Sequence, residues 1–113
     1  MHEYSIVSSL LERVHREAML HPGAIVRTLH VRIGELAGVE VSLLRTAFET
    51  CRVRTPCESS ELVIDQVPAV WHCPKCGASI APPVRCPGCQ AAARLASGDE
   101  IILERIELEV PDV

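Results

Sequence analysis

Aromatic side chains are nearly absent from this 113-residue chain: Tyr4, Phe48 and Trp71 are the whole complement. A core built from it must therefore be aliphatic, and a hydrophobic content of 48% is enough to build one. The same scarcity argues against a stacking platform for single-stranded nucleic acid. Excess positive charge is also missing, with 11 Lys and Arg against 15 Asp and Glu and a net charge of -4. Such a chain has no general attraction for phosphate backbones or anionic membranes. No apolar run approaches the ~20 residues needed to span a bilayer. No basic segment leads into the roughly 7–15-residue apolar run of a secretory signal. A Ser/His/Asp spacing cue, a phosphate-cradling glycine loop and a paired-carboxylate motif are all lacking, so nothing argues for an enzyme. These absences predict a soluble, cytoplasmic protein holding one ordinary domain, or one small core plus a metal-stapled module.

What is present reads as a short α+β pattern. Residues 5–20 place Val7, Leu10, Leu11, Val14 and Ala18 at helical spacing, with Ser5 as the expected N-cap and His21-Pro22-Gly23 as the stop. Residues 24–36 alternate, Leu29, Val31 and Ile33 against Thr28, His30 and Arg32, which predicts a half-buried strand. Helical period returns over 39–51 through Leu44, Ala47, Phe48 and Cys51. A second strand is expected over 59–72 and a third over 99–110, with these two as antiparallel neighbours. The expected fold is a three-stranded antiparallel-type sheet covered by two helices. Residues 1–69 and 98–113 would form this α/β domain, and 70–97 an inserted zinc-ribbon-like domain.

The strongest motif lies in that insert. Cys73 and Cys76 form one CxxC pair, Cys86 and Cys89 another, with nine residues between them. Each pair can bend through a tight turn so that both sulfurs face one ion at ~2.3 Å, the requirement of a tetrahedral thiolate site. Pro74 and Pro87 pre-set the turns, and Gly77 and Gly88 are expected to relax them. A closed four-thiolate Zn²⁺ site is structural, because no position stays open for water. Two redox CxxC motifs are the competing reading, but no helix pattern follows either pair. A zinc ribbon serving as a nucleic-acid or protein adaptor is another. The stretch carries only Lys75, Arg85 and Arg94 as cations, no basic stripe.

The remaining cysteines and histidines invite plainer readings. Cys51 falls on the apolar face of the second helix and is expected to be a buried thiol. Cys57 follows Pro56 in a loop and reads as an exposed spare thiol. His15 and His21 read as solvated, His30 as part of a polar strand face, and His72 as a surface neighbour of Cys73. His2 is different, since it sits directly behind Met1. The terminal amine of Met1, the backbone nitrogens of residues 2 and 3 and the His2 imidazole can close adjacent chelate rings. A d⁸ or d⁹ ion such as Ni²⁺ or Cu²⁺ accepts such nitrogens in a square plane. Glu3 could add a carboxylate at the edge.

Taken together, the opening Met1-His2-Glu3, the amphipathic first helix, residues 31–49, residues 62–77 with the first CxxC, the second CxxC and the acidic strand 104–110 resemble the HypA/HybF family of nickel chaperones. The resemblance implies a metallochaperone that binds Ni²⁺ through His2 and the Met1 amine, with Glu3 supporting, and delivers it for [NiFe]-hydrogenase maturation. It implies structural zinc on Cys73, Cys76, Cys86 and Cys89. It also implies a HypB-type GTPase and a hydrogenase large-subunit precursor as partners, and in some organisms a service to urease. Nucleic acid and membrane are not expected partners, and a homodimer is left open. The loop between the knuckles is shorter than expected for the family. Glu40, at the start of the second helix, is a candidate neighbour of the nickel terminus.

Overall fold

A computed structural model describes residues 2–111. In chain order it holds α1 (His2–Met19), β1 (Ile25–Gly34), α2 (Val41–Cys51), β2 (Glu61–Val67), β3 (Val70–His72), β4 (Arg94–Ser97) and β5 (Ile101–Glu109). The architecture is α+β, with a three-stranded sheet ordered β2-β1-β5 and a two-stranded sheet β3-β4.

Helix α1 begins three residues earlier than expected. Ser5 lies inside it and is not the N-cap. The reason lies in Glu3, an acidic residue in the first turn, where the unpaired N–H groups favour negative charge. Its carboxylate also accepts the backbone N–H of Glu40 at 3.3 Å, joining the N-termini of α1 and α2. The two helices pack together and bury Val7 and Val14 from α1 and Leu44, Ala47 and Phe48 from α2. Val26, Leu29 and Val31 of β1 complete an aliphatic interior in which Phe48 is the only buried aromatic among the described residues.

Sheet order corrects the expectation that the second and third strands would be neighbours. β1 lies between β2 and β5. Its burial is deepest of the three, which suits a central strand, whereas β2 and β5 alternate with exposed charges. On the polar side β1 and β5 are laced by Arg27–Glu109, His30–Glu107 at 2.7 Å and Arg32–Glu104 at 2.8 Å. The expected strand 59–72 is divided at Pro68. Its first part is β2, and its second is β3, which pairs antiparallel with β4 through Trp71↔Leu95 and His72↔Arg94. Proline cannot donate to a ladder, so the division falls where the backbone changes partners.

The chain forms two compact units. The first contains the described residues up to Arg32, then Val39–Asp65, and those from Ile102 onward. The second contains Ile33–Gly38 and Gln66–Ile101, and residues 70–97 lie inside it. At the base of the second unit three backbone segments meet at glycines. A Cβ on Gly34 would fall 2.2 Å from the Gly98 carbonyl, and one on Gly98 would fall 2.5 Å from the Ala69 Cα. Leu36 N–H donates to Gly98 O at 2.7 Å, Glu35 N–H to Val67 O at 2.8 Å, and the Glu35 carboxylate accepts Ala69 N–H at 2.8 Å.

Candidate metal centres

The four knuckle cysteines converge. The sulfurs of Cys73, Cys76, Cys86 and Cys89 all lie within 4.8 Å of one another, and Cys76 Sγ is 3.7 Å from Cys86 Sγ. Four sulfurs at ~2.3 Å around a tetrahedral ion would stand about 3.8 Å apart, so the cluster has the size of a Zn²⁺ site. Cys73 and Cys86 are buried, Cys89 is half-buried and Cys76 is exposed.

Each sulfur pair is held by the same backbone pattern. Cys73 N–H donates to Ala78 O at 2.8 Å and Gly77 N–H returns to Cys73 O at 2.9 Å. In the second knuckle Cys86 N–H donates to Ala91 O at 2.9 Å and Gln90 N–H to Cys86 O at 2.8 Å. The residue after the second cysteine of each pair takes a left-handed backbone, Gly77 at φ 78° and Gln90 at φ 59°. Gly88 has no positive φ, so the second turn is relaxed at a glutamine and not at the glycine the sequence offered. Arg85 helps there by donating to Gln90 O at 3.0 Å. Sequence reasoning missed Gln90, although its position one after Cys89 matches that of Gly77 after Cys76.

Electrostatics across the four thiols are uneven. Backbone N–H groups of Cys76 and then Lys75, together with the neighbouring sulfurs, hold the Cys73 thiol down at about 6. Cys89 is pushed up to about 12, first by its hydrogen bond with Cys76, then by desolvation. A cluster that gives up one proton readily and another with difficulty is stabilised by a dication, which neutralises thiolates that would otherwise repel.

The other sequence-singled residues fall elsewhere. Cys51 is half-buried, and Cys57 is buried, not exposed as its loop position suggested. Thr55 Oγ1 accepts the Cys57 N–H at 3.1 Å, folding the loop so that the thiol turns inward, and desolvation then raises its pKa. His30 is tied to Glu107, and this bond is the first cause of the lowered Glu107 pKa. His15 and His21 are exposed, and His72 is half-buried on β3.

At the other candidate centre, His2 is exposed at the first position of α1 and Glu3 is half-buried. The first turn of a helix leaves its backbone N–H groups without intrahelical partners, so the amides of residues 2 and 3 are not committed to the helix. Glu3 is held below its ordinary value of 4.5 first by its own backbone N–H and then by that of Glu40. Glu40, singled out as a candidate neighbour, is thus brought to Glu3 through its backbone nitrogen. The Met1 amine falls outside the described residues.

Residues 1–108 match the family model described as HypA, "Hydrogenase/urease nickel incorporation, metallochaperone". The chain belongs to the HypA family. It is 38% identical over 113 residues to the hydrogenase maturation factor HypA of Shewanella halifaxensis (strain HAW-EB4), covering 96% of this chain and 98% of that protein. It is also 38% identical over 117 residues to the factor of the same name from Wolinella succinogenes, covering 99% and 98%. Among solved structures, the solution structure of the Ni metallochaperone HypA from Helicobacter pylori aligns with a TM-score of 0.66 at 27% identity, covering 96% of this chain and 98% of that one. A second HypA solution structure aligns with a TM-score of 0.73 at 28% identity, covering 98% of each. The chain is therefore a member of a nickel metallochaperone family of hydrogenase maturation, and its cysteine cluster can hold a metal ion.

Proposed function

We propose that this HypA-family chain binds one Ni²⁺ at its N-terminus, carries it to a hydrogenase precursor in the cytoplasm, and uses a separate structural Zn²⁺ to hold its second unit. The observation that carries the reading is the start of α1 at His2, which leaves an exposed imidazole beside first-turn amides that the helix does not use. His2, the Met1 amine and the backbone nitrogens of residues 2 and 3 would form the nitrogen plane, with Glu3 beside it. Cys73, Cys76, Cys86 and Cys89 would hold the zinc.

The two sites suit different tasks. A closed cage of four thiolates holds its ion permanently. A terminal site open on one side lets an acceptor ligand enter before the last donor leaves. Nickel binding releases protons from its donors, so affinity falls as pH falls. Square-planar nitrogen sites favour Cu²⁺ over Ni²⁺ by intrinsic affinity, so selectivity would come from partners and metal supply. A HypB-type GTPase and the hydrogenase large-subunit precursor are the partners this role requires, with urease maturation as a second outlet.

Nickel titration of the untagged, zinc-loaded chain tests the site. His2→Ala, or a single residue added ahead of Met1, should remove the stoichiometric nickel site while zinc content and fold persist. Unchanged stoichiometry and affinity in both variants would overturn the terminal assignment.

A further inference from the structure

A cation held by four cysteines keeps all four as thiolates, so proton content no longer separates one sulfur from another. Access does. Cys73 is fully buried and Cys86 is 3% exposed. Cys89 is half-buried, and Cys76 alone of the four is exposed. The sequence accounts for the difference between the two knuckles. In the second, the Gln90 side chain folds back to Pro87 O at 3.5 Å and Arg85 reaches Gln90 O at 3.0 Å. The equivalent position after Cys76 is Gly77, which has no side chain to fold back, and a Cβ there would meet nothing within 4 Å. The first knuckle is the less covered of the two, and its second sulfur stands at the surface.

The surroundings of the sulfurs differ as well. Cys73 Sγ accepts the Lys75 N–H at 3.4 Å, which steadies its charge. The contact made by Cys76 Sγ is instead with Cys86 Sγ, 3.7 Å away in the other knuckle. A disulfide needs its sulfurs at about 2.05 Å, so these two have less than ~2 Å to close. Outside the cluster, Cys57 is buried and Cys51 half-buried. An oxidant arriving from solvent therefore meets Cys76 first and finds Cys86 behind it.

We propose that Cys76 is a modification site for peroxides, with Cys86 as its resolving partner. The Cys76 thiolate attacks one peroxide oxygen. The S–O bond forms as the O–O bond breaks, hydroxide leaves, and the sulfur loses two electrons to become a sulfenic acid. The Cys86 thiolate then attacks that sulfur, forming the S–S bond as the S–O bond breaks and a second hydroxide leaves. Two thiolates and one hydrogen peroxide thus become one disulfide and two hydroxides. Two thiolates remain where the ion had four, and the second unit loses the cage that stands in place of its core. A dithiol reductant reverses the change. The inference rests on the zinc reading of the cluster and is independent of the nickel terminus.

Peptide mapping of the full, zinc-loaded chain tests it, with a chromophoric chelator following zinc release. One equivalent of hydrogen peroxide should produce the Cys76–Cys86 disulfide and free the zinc, and reductant with added zinc should restore the starting state. A sulfenic-acid trapping reagent present during oxidation should mark Cys76. Substoichiometric N-ethylmaleimide should label Cys76 about tenfold or more faster than Cys73 or Cys86. Cys76→His keeps a donor that zinc accepts beside three cysteines, and it should hold zinc while releasing it to peroxide about tenfold more slowly than the parent. Mapping of the parent decides the matter should that variant bind zinc poorly. First modification at Cys73, Cys86 or Cys89, disulfides confined within each CxxC pair, or zinc retained after Cys76 is oxidised would each overturn the proposal and leave the zinc reading standing. A purified chain that takes up no zinc would overturn both.

Discussion

The two units of the chain are held together by different physics. In the first, Val7, Val14, Leu29, Val31, Leu44 and Phe48 are all at or below 2% exposed, an aliphatic interior shared by two helices and a sheet. In the second, the buried hydrophobic residues among those described are Ile33, Cys73 and Cys86. A segment with so little apolar surface to bury cannot offset its conformational entropy by packing alone. The four-cysteine cluster stands where a core would be. One unit is thus sensitive to volume and the other to ligand chemistry, a contrast that mutations can probe separately.

The largest effect is expected at Cys73. Cys73→Ser removes one of four sulfurs, leaving three thiols that bind Zn²⁺ more weakly, and metal binding is folding free energy for such a module. Zinc content should fall below one equivalent, and amide protection should be lost across 66–101 while α1 and α2 keep theirs. Full zinc retention with protection intact would show that the second unit has another source of stability. Leu29→Ala reverses the pattern. It opens a cavity in the first unit, costing about 2–5 kcal/mol in denaturant unfolding, with the zinc equivalent retained. A variant that loses its zinc as readily as Cys73→Ser would show the two units to be one cooperative structure.

Much of this contrast was legible in the chain. The 3.6-residue spacing from Val7 to Ala18 and the alternation from Leu29 to Ile33 marked α1 and β1, because one-sided burial imposes those periods. The two CxxC pairs announced a four-sulfur cluster, because the spacing serves ligand geometry and not packing. What the chain hid depends on partners distant in sequence. The start of α1 turns on Glu40 meeting Glu3, 37 residues away. The central place of β1 depends on how the insert returns the chain as β5. β4 pairs with only three residues of β3 and leaves no periodic trace. Cys57 looked exposed because a proline-led loop usually is, yet Thr55 turns its backbone inward.

A smaller effect tests the Glu3 link inside the first unit. The Glu3 carboxylate is held below 4.5 by its own N–H and that of Glu40. A depressed folded-state pKa contributes stability above the unfolded value and loses it as pH falls through the folded one. Glu3→Gln should therefore lower the melting temperature of the first unit slightly at neutral pH. The difference from the parent should shrink as pH drops below 4.5. A gap that persisted in acid would show that the side chain acts by packing and not by charge.

The smallest effect compares the two knuckles directly. Gly77 and Gln90 occupy equivalent left-handed positions, yet only glycine takes that conformation freely. A glutamine there carries strain of about 1 kcal/mol. Gln90→Gly relieves that strain but increases the freedom of the unfolded chain, which costs roughly 0.4–1 kcal/mol. The Gln90 side chain offsets little, since its Nε2 reaches Pro87 O only at 3.5 Å. The net change should stay within about 0.5 kcal/mol, which chelator competition for zinc can resolve against the parent. Gly77→Gln imposes the strain without a supporting arginine such as Arg85 and should weaken zinc retention measurably more than Gln90→Gly changes it. Equal losses in both variants would mean that the Gln90 side chain, and not its backbone, serves the second knuckle.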